Sequence, residues 1–291
     1  MSLILKVPTI NDSPRDFDNL FRLWQQIQTG EKEVIFDFSK CYFLQQNAVA
    51  FIGGLARLIE SEGCTVIFNW DTVKNHVGMN LRQNGFKHAF NSGEEAWIGN
   101  SIPYREDKYQ NRDSLVHYLA EEWLGRGWVR ISDLLKQSIV GTAWEIYANA
   151  FEHSKTDIGI FSCGQHYPKL GELKLTVVDF GLGIPHNVRE FQQNPNLQAD
   201  QALQWAFQAG ASTRLGSVTG GMGLDFLKQF VQINKGKLQI FSHDGYAIIN
   251  ENQEVYENRE TFFAGTLVNI TLLCDESYYT LDFEADDELF F

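Results

Sequence analysis

A helical stretch carries the first residues whose types and spacing could do chemistry. In E-I-Y-A-N-A-F-E-H-S, Glu145, Asn149 and His153 recur every four residues, so a helix places them on one face. An Asn carbonyl oxygen can ligate a hard cation, and a Glu can orient and deprotonate a water or a hydroxyl. The same spacing is also typical of ordinary solvated polar residues, so this stretch alone does not decide between the two.

A carboxylate followed by glycines ends the next predicted strand. Residues 173–178 are mostly apolar, and Asp179, Gly181 and Gly183 follow in V-V-D-F-G-L-G-I-P. A carboxylate at a strand end can accept a hydrogen bond from an exocyclic amine while the backbone turns tightly around a ring. Taken alone, D-x-G-x-G also describes a strand that simply ends in a turn.

A second glycine cluster, G-G-M-G at residues 220–223, leads directly into a predicted helix at 224–233. Glycines at a helix N-terminus expose backbone amides and the positive end of the helix dipole to phosphate. The cluster is not a P-loop, because no G-K-S or G-K-T is present. It also fits a dinucleotide fingerprint poorly, because Asp179 precedes the glycines.

Taken together, the motifs resemble one family of nucleotide-binding proteins. The order E-x-x-x-N, D-x-G-x-G, G-G-x-G-L and a final G-T-L-V-N-I-T-L strand is similar to the GHKL ATPases. That family contains gyrase-type and mismatch-repair ATPases, the ninety-kilodalton chaperones, histidine kinases and anti-sigma-factor serine kinases. The resemblance covers about residues 115–275, and it implies an α/β sandwich (the Bergerat fold) that binds ATP with Mg²⁺.

The resemblance also implies a role for each motif residue. Asn149 would hold the magnesium ion that bridges the phosphates, and Glu145 stands where the family places its general base. The remaining nucleotide contacts implied are Asp179 at the adenine amino group, Gly181 and Gly183 beside the adenine, Gly221 and Gly223 at the phosphates, and the Thr266 hydroxyl in support of the adenine site.

The insertion between the two glycine motifs, residues 185–219, would be the ATP lid. A helix is predicted at 201–207, and a Gly- and Ser-rich hinge follows it. Ser212, Thr213 and Arg214 could reach the phosphates, although a surface charge is the more common role for such an Arg. Because the insertion has few apolar runs, we expect it to be mobile without nucleotide and ordered with it.

Residues 1–95 alternate strand and helix patterns, which predicts an α/β layer structure. The piece V-I-F-D-F-S-K-C-Y-F-L-Q-Q-N-A-V-A-F-I-G-G-L-A-R-L-I-E, followed by C-T-V-I-F-N-W, resembles the STAS fold of anti-sigma-factor antagonists and sulfate-transporter tails. Where that family commonly has D-S-S-G with a phosphorylatable serine, this chain has Gln45, Gln46, Asn47 and Ala48. The resemblance therefore implies a docking or scaffold version, and an unrelated small α/β domain remains the alternative.

The predicted organisation is an α/β chain of two domains. Residues 1–95 form the STAS-like domain, 96–114 are a polar linker with Gly, Ser and Pro, 115–280 form the GHKL-type domain, and 281–291 are an acidic tail. The four cysteines are scattered without a C-x-x-C pair, which argues against a zinc or redox site. The N-terminus lacks a signal-peptide pattern, and no apolar run approaches the ~18 residues of a membrane span. We therefore expect a soluble cytoplasmic protein.

Charge and context narrow the expected partners. The formal net charge of −13 disfavours electrostatic binding to nucleic acid or to an anionic membrane. A sensor histidine kinase is disfavoured, because the upstream region is α/β and carries no helical hairpin with a phosphoacceptor His. Two classes remain: an ATPase or protein serine/threonine kinase with Glu145 as base, and an ATP-controlled switch or scaffold that captures a partner without turnover. The expected partners are ATP or ADP with Mg²⁺ and a regulatory protein, and a homodimer is left open.

Overall fold

The structure is a computed structural model that describes residues 2–27, 31–90, 93, 99–208 and 222–287. The strands in these residues are β1 Ser2–Lys6, β2 Glu33–Asp37, β3 Thr65–Asn69, β4 Ser101–Asp107, β5 Ile160–Tyr167, β6 Glu172–Asp179, β7 Lys237–Asn250 and β8 Gln253–Leu273. The helices are α1 Pro14–Gln25, α2 Gln46–Ser61, α3 Asn75–Gln83, α4 Phe86–Ala89, α5 Arg112–His117, α6 Asp133–His153, α7 Gly183–Gln192, α8 Ala199–Ala206, α9 Met222–Ile233 and α10 Asp282–Asp287.

The described strands form two separate sheets, so the chain is a mixed α/β protein as predicted. The first sheet is parallel with the order β1-β2-β3, and α1 and α2 are its crossover connections. The second sheet is antiparallel with the order β4-β5-β6-β8-β7. Parallel strands need long crossovers and antiparallel ones do not, which matches the helix-separated N-terminal pattern and the long β7–β8 hairpin.

One face of the antiparallel sheet is covered by α6 and α9. Ser132 caps α6, where its hydroxyl accepts a hydrogen bond from the Leu135 amide at 3.1 Å. The inward residues of α6, such as Ile139 and Ala143, pack in one apolar cluster with Val177 of β6. This packing fixes the long helix against the sheet.

The other face of the antiparallel sheet is covered by the N-terminal half of the chain. Helix α2 is buried almost all round, because it lies between the parallel sheet and strands β5 and β6. Phe17 and Phe21 of α1 stack near Phe241 and Phe263 of the hairpin, with ring centroids 4.3 Å apart for Phe17–Phe241 and 5.0 Å for Phe21–Phe263. A single apolar cluster therefore joins both halves.

A polar network also connects the N-terminal half to the antiparallel sheet at this interface. The amide nitrogen of Gln46, in α2, donates to the Asn269 carbonyl oxygen at 3.1 Å, and the Tyr167 hydroxyl donates to the Gln46 carbonyl oxygen at 2.9 Å. The buried Lys174 ammonium binds the Asp12 carboxylate at 2.7 Å. Burial acts to raise the pKa of Asp12, but Lys174 and Lys237 together lower it below its usual value. The side chain of Gln46, which stands within the stretch that replaces D-S-S-G, is thus engaged in hydrogen bonds inside the protein.

The segment 96–114, predicted as a linker, contains regular structure instead. Strand β4 lies at the edge of the antiparallel sheet and pairs with β5, with Asp107 opposite Ile160. An edge position tolerates Pro103, which a central strand would not. After β4, α5 is followed directly by a π-helical segment, Tyr118–Trp123. In the part of the chain that the structure describes, no helix is both long enough and apolar enough to span a membrane.

Candidate functional site

Asp179 lies at the centre of the candidate site, at the last position of β6. It is flanked in register by Ile160 of β5 and by Thr266 of β8. Its side chain is buried, with 5 % of the residue exposed, and one carboxylate oxygen accepts a hydrogen bond from the Gly181 amide at 2.9 Å. The structure thus brings together Asp179, Gly181 and Thr266, for which the family resemblance implies one adenine site.

The pKa of the Asp179 carboxyl is well above the ordinary value for an aspartate. Burial raises its pKa to about 7, and hydrogen bonds from the backbone amides of Gly181 and Thr266 counteract part of that rise. Near neutral pH this group is therefore divided between its neutral and charged forms. A strongly shifted pKa of this kind is characteristic of functional sites, although structural groups also show it.

The glycines of D-x-G-x-G are needed for close approach. A Cβ at Gly181 would collide with the carbonyl oxygen of Ser154, the C-cap residue that follows α6. Gly183 has φ of +74°, which L side chains rarely adopt, and its Cβ would lie 2.5 Å from the Ala264 carbonyl oxygen. In the same way, a side chain at Gly265 of β8 would collide with the Asp179 carbonyl oxygen. The turn after β6 is therefore packed against both α6 and β8.

Backbone hydrogen bonds dock the C-terminal end of α6 on this turn. The Leu182 amide donates to the Ser154 carbonyl at 2.8 Å, and the Asn187 side-chain amide donates to the His153 carbonyl at 3.2 Å. Asn149 lies about 7.5 Å back along the helix axis from Ser154. It is exposed, whereas Glu145 and His153 are half-buried. The C-terminal end of the helix that carries these residues is thus anchored next to the Asp179 turn.

Two residues at this site were missed by sequence reasoning. The Ser242 hydroxyl accepts from the Ile184 amide at 2.9 Å, donates to the Gly265 carbonyl at 2.9 Å, and lies 3.2 Å from the Thr266 hydroxyl. His243 Nε2 donates to the Leu182 carbonyl at 2.8 Å. The sequence signal that could have identified them is the polar S-H-D-G that follows K-L-Q-I-F. At this point β7 loses its regular register with β8.

The first part of the predicted lid is packed rather than loose. Helices α7 and α8 occupy most of residues 183–206, and Pro185, Val188, Ala202 and Leu203 are buried. The expectation that residues 185–219 bury too little apolar surface is therefore wrong for these two helices. Their sequence contains few long apolar runs, but Ala199 and Leu203 of α8 lie closely against Gly245 of β7.

The structure describes only some of the residues that were predicted to contact the phosphates. Gly223 lies in the first turn of α9, which begins at Met222, close to the predicted helix start. Gly221, Ser212, Thr213 and Arg214 lie outside the residues that the structure describes. Among the described residues, no group of three or more His, Cys, Asp or Glu side chains is arranged to hold a metal ion.

Comparison with known proteins adds no assignment: neither the family models nor the curated proteins give a match to this chain.

Proposed function

We propose that this protein binds ATP with Mg²⁺ against α6 and the turn after β6, in the manner of a GHKL-type ATPase. The observation that carries the proposal is the buried Asp179 carboxyl at a strand end, beside a turn whose glycines leave no room for side chains. A buried carboxylate is costly unless donors satisfy it. An adenine amino group would supply such a donor to the carboxylate, in addition to the backbone amides of Gly181 and Thr266.

The residues of α6 suit the phosphate end of such a ligand. Asn149 is exposed and carries a carbonyl oxygen, so it would hold Mg²⁺ as one of several oxygen ligands. Magnesium prefers to keep waters and phosphate oxygens as its other ligands, which fits a face without a cluster of carboxylates among the described residues. When bound, the ion would neutralise charge on the phosphates. Glu145, one helical turn away, would accept the proton of an attacking water or hydroxyl.

The proposed activity is slow ATP hydrolysis or phosphotransfer to a serine or threonine of a protein partner in the cytoplasm. Glu145 on the same helix face as Asn149 favours chemistry over binding alone. The alternative is a switch that binds ATP without turnover and captures a partner through its N-terminal, STAS-like half. In that half, the stretch Gln45 to Asn47 is buried against the antiparallel sheet, which favours a fixed structural role for the start of α2.

The test of the proposal is the Asp179→Asn variant, measured by calorimetry with Mg²⁺-ATP. Loss of the charged acceptor should cost about 1–3 kcal/mol of binding free energy, a roughly 5–150-fold higher Kd. Asp71→Asn is the matched control, because Asp71 is exposed in the N-terminal half and should leave Kd unchanged. An Asp179→Asn chain that is folded and binds ATP as tightly as the wild type would refute the adenine role of Asp179.

Nucleotide affinity should also depend on pH through Asp179. The free carboxyl has a pKa of about 7, and the adenine amine needs the charged acceptor, so ATP binding should release a proton. We expect affinity to rise about tenfold from pH 6 to pH 8, and about half a proton to be released at pH 7. Calorimetry at pH 7 in buffers of different ionisation enthalpy measures this proton directly.

Two controls isolate the carboxyl in that experiment. Adenosine has no phosphate that titrates near pH 6, so it should show the same dependence as ATP. The free energy of unfolding of the free protein should change in the opposite sense to the affinity. The contribution of the raised Asp179 pKa is fully present below about pH 4 and is lost as pH rises through 7. Adenosine affinity that is flat between pH 6 and pH 8 would contradict the prediction.

A further inference from the structure

The residue between Asp179 and Gly181 points into the N-terminal half of the protein. The Phe180 ring lies 5.2 Å from the ring of Phe51 in α2, measured between centroids, and 5.3 Å from that of Phe263 in β8. It also meets Phe161 of β5 at 6.3 Å. The turn that carries the Asp179 carboxyl therefore has its aromatic side chain in the apolar cluster shared by both halves.

Helix α2 approaches this ring at a glycine. A Cβ added at Gly54 would overlap the Phe180 ring and lie 2.7 Å from Cδ2 of Phe161. Glycine is unfavourable in a helix interior, so its presence beside a ring fits a need for close packing. The Phe180 ring thus occupies the space that any side chain at position 54 would need.

The turn has little freedom to move away from α2. On its other side, a Cβ at Gly265 would lie 2.9 Å from the Phe180 Cα, so β8 abuts the backbone there. Gly181 is held against Ser154, and its amide bonds the Asp179 carboxylate. A displacement of the Phe180 ring therefore passes to Asp179 and to the Gly181 amide, because packed interiors transmit such strain.

We infer that α2 is a positioning element for the Asp179 turn, with Gly54 and Phe180 as positioning residues, so that the N-terminal half sets nucleotide affinity from the far side of the sheet. The nucleotide part of this inference rests on the proposed function. Its consequence is reciprocal linkage: a protein partner that shifts α2 changes ATP affinity, and ATP changes the affinity for that partner by the same factor.

Two adjacent glycines provide a matched test. Gly54→Ala places a methyl against Phe180, whereas Gly53→Ala places the same methyl against the Tyr104 hydroxyl of β4. Both variants remove a glycine from the same helix and crowd the same interface, so their effects on Tm should be similar. We expect Gly54→Ala to weaken Mg²⁺-ATP binding by tenfold or more and to speed hydrogen exchange of the Gly181 amide. Gly53→Ala should do neither.

A second substitution checks the route of the effect. Phe180→Leu in the Gly54→Ala background makes room for the methyl and should restore part of the lost affinity. If Gly54→Ala does not fold, Phe180→Leu alone should weaken ATP binding and speed Gly181 exchange, relative to Phe21→Leu. Phe21 belongs to the same aromatic cluster but lies on α1, where it stacks on Phe263.

The outcomes separate this inference from the proposed function. If the wild type binds no ATP, the proposed function fails, and faster Gly181 exchange in Gly54→Ala alone still supports the positioning role of α2. If both glycine variants change affinity and Gly181 exchange equally, or neither does, the inference is overturned whatever the protein binds.

Discussion

Replacing Glu145 by Gln should slow ATP turnover by roughly 10²–10⁴-fold while Mg²⁺-ATP binding stays nearly unchanged, because a general base acts on the transition state rather than on binding. Glutamine keeps the size of the side chain and removes its basicity. The measurement uses ATP labelled at the γ-phosphate and follows whether the label appears as free phosphate or on an added protein partner.

Two variants on the same helix make this result specific. Asp133→Asn removes another carboxylate from α6, at its exposed N-terminal end, and should leave the rate at the wild-type value. Asn149→Ala should instead weaken the magnesium-dependent part of ATP binding. If Glu145→Gln turns over ATP as fast as the wild type, Glu145 is not the base. If the wild type binds ATP and releases or transfers no phosphate, the switch is the better description.

A chain shortened to residues 99–291 should fail to fold cooperatively. It would uncover the sheet face that α1 and α2 cover, which includes Phe161, Val178, Phe241, Tyr246, Phe263 and Leu267, all 0–3 % exposed. At about 1.5–3 kcal/mol for each large side chain, the loss is about 10 kcal/mol or more, comparable with the whole stability of a domain at ~5–15 kcal/mol.

Circular dichroism and calorimetry on the shortened and full-length chains measure this effect. The full-length protein should unfold in one transition, since its two sheets share a core. Residues 1–98 added as a separate chain are the control, and they should restore cooperative unfolding by covering the same face. A shortened chain with a sharp thermal transition and native near-ultraviolet dichroism would show that the two halves are independent domains, as the sequence had suggested.

Local patterns in the sequence predicted most of the elements around the candidate site. The strand before Asp179, the helix with Glu145 and Asn149, and the closing strand with Thr266 all exist in the structure. Each has a strong local signal, either apolar periodicity or a run of β-branched residues. Pairing of Asp179 with Thr266 follows once these strands are neighbours. Binding of nucleotide there remains a prediction.

Non-local contacts account for what the sequence did not predict. Strand β4 was missed because S-I-P-Y-R-E-D carries Pro103 and charges, and its stability comes from pairing with β5. The shared core was missed because periodicity does not tell which remote surface a helix contacts. One signal was available: from Ala48 to Ala56, α2 is apolar or glycine at every position, and a helix that is apolar all round is buried on all sides.

The shared core also affects how the protein is made. Phe51 of α2 packs at 5.3 Å from Phe263, a residue synthesised 212 positions later. At a translation rate of about 5–20 residues per second, the strand that covers the apolar faces of α1 and α2 is synthesised about 10–40 s after them. Contacts this distant in sequence also slow folding. During synthesis, we therefore expect the N-terminal half to expose apolar surface that favours aggregation until its covering strand emerges.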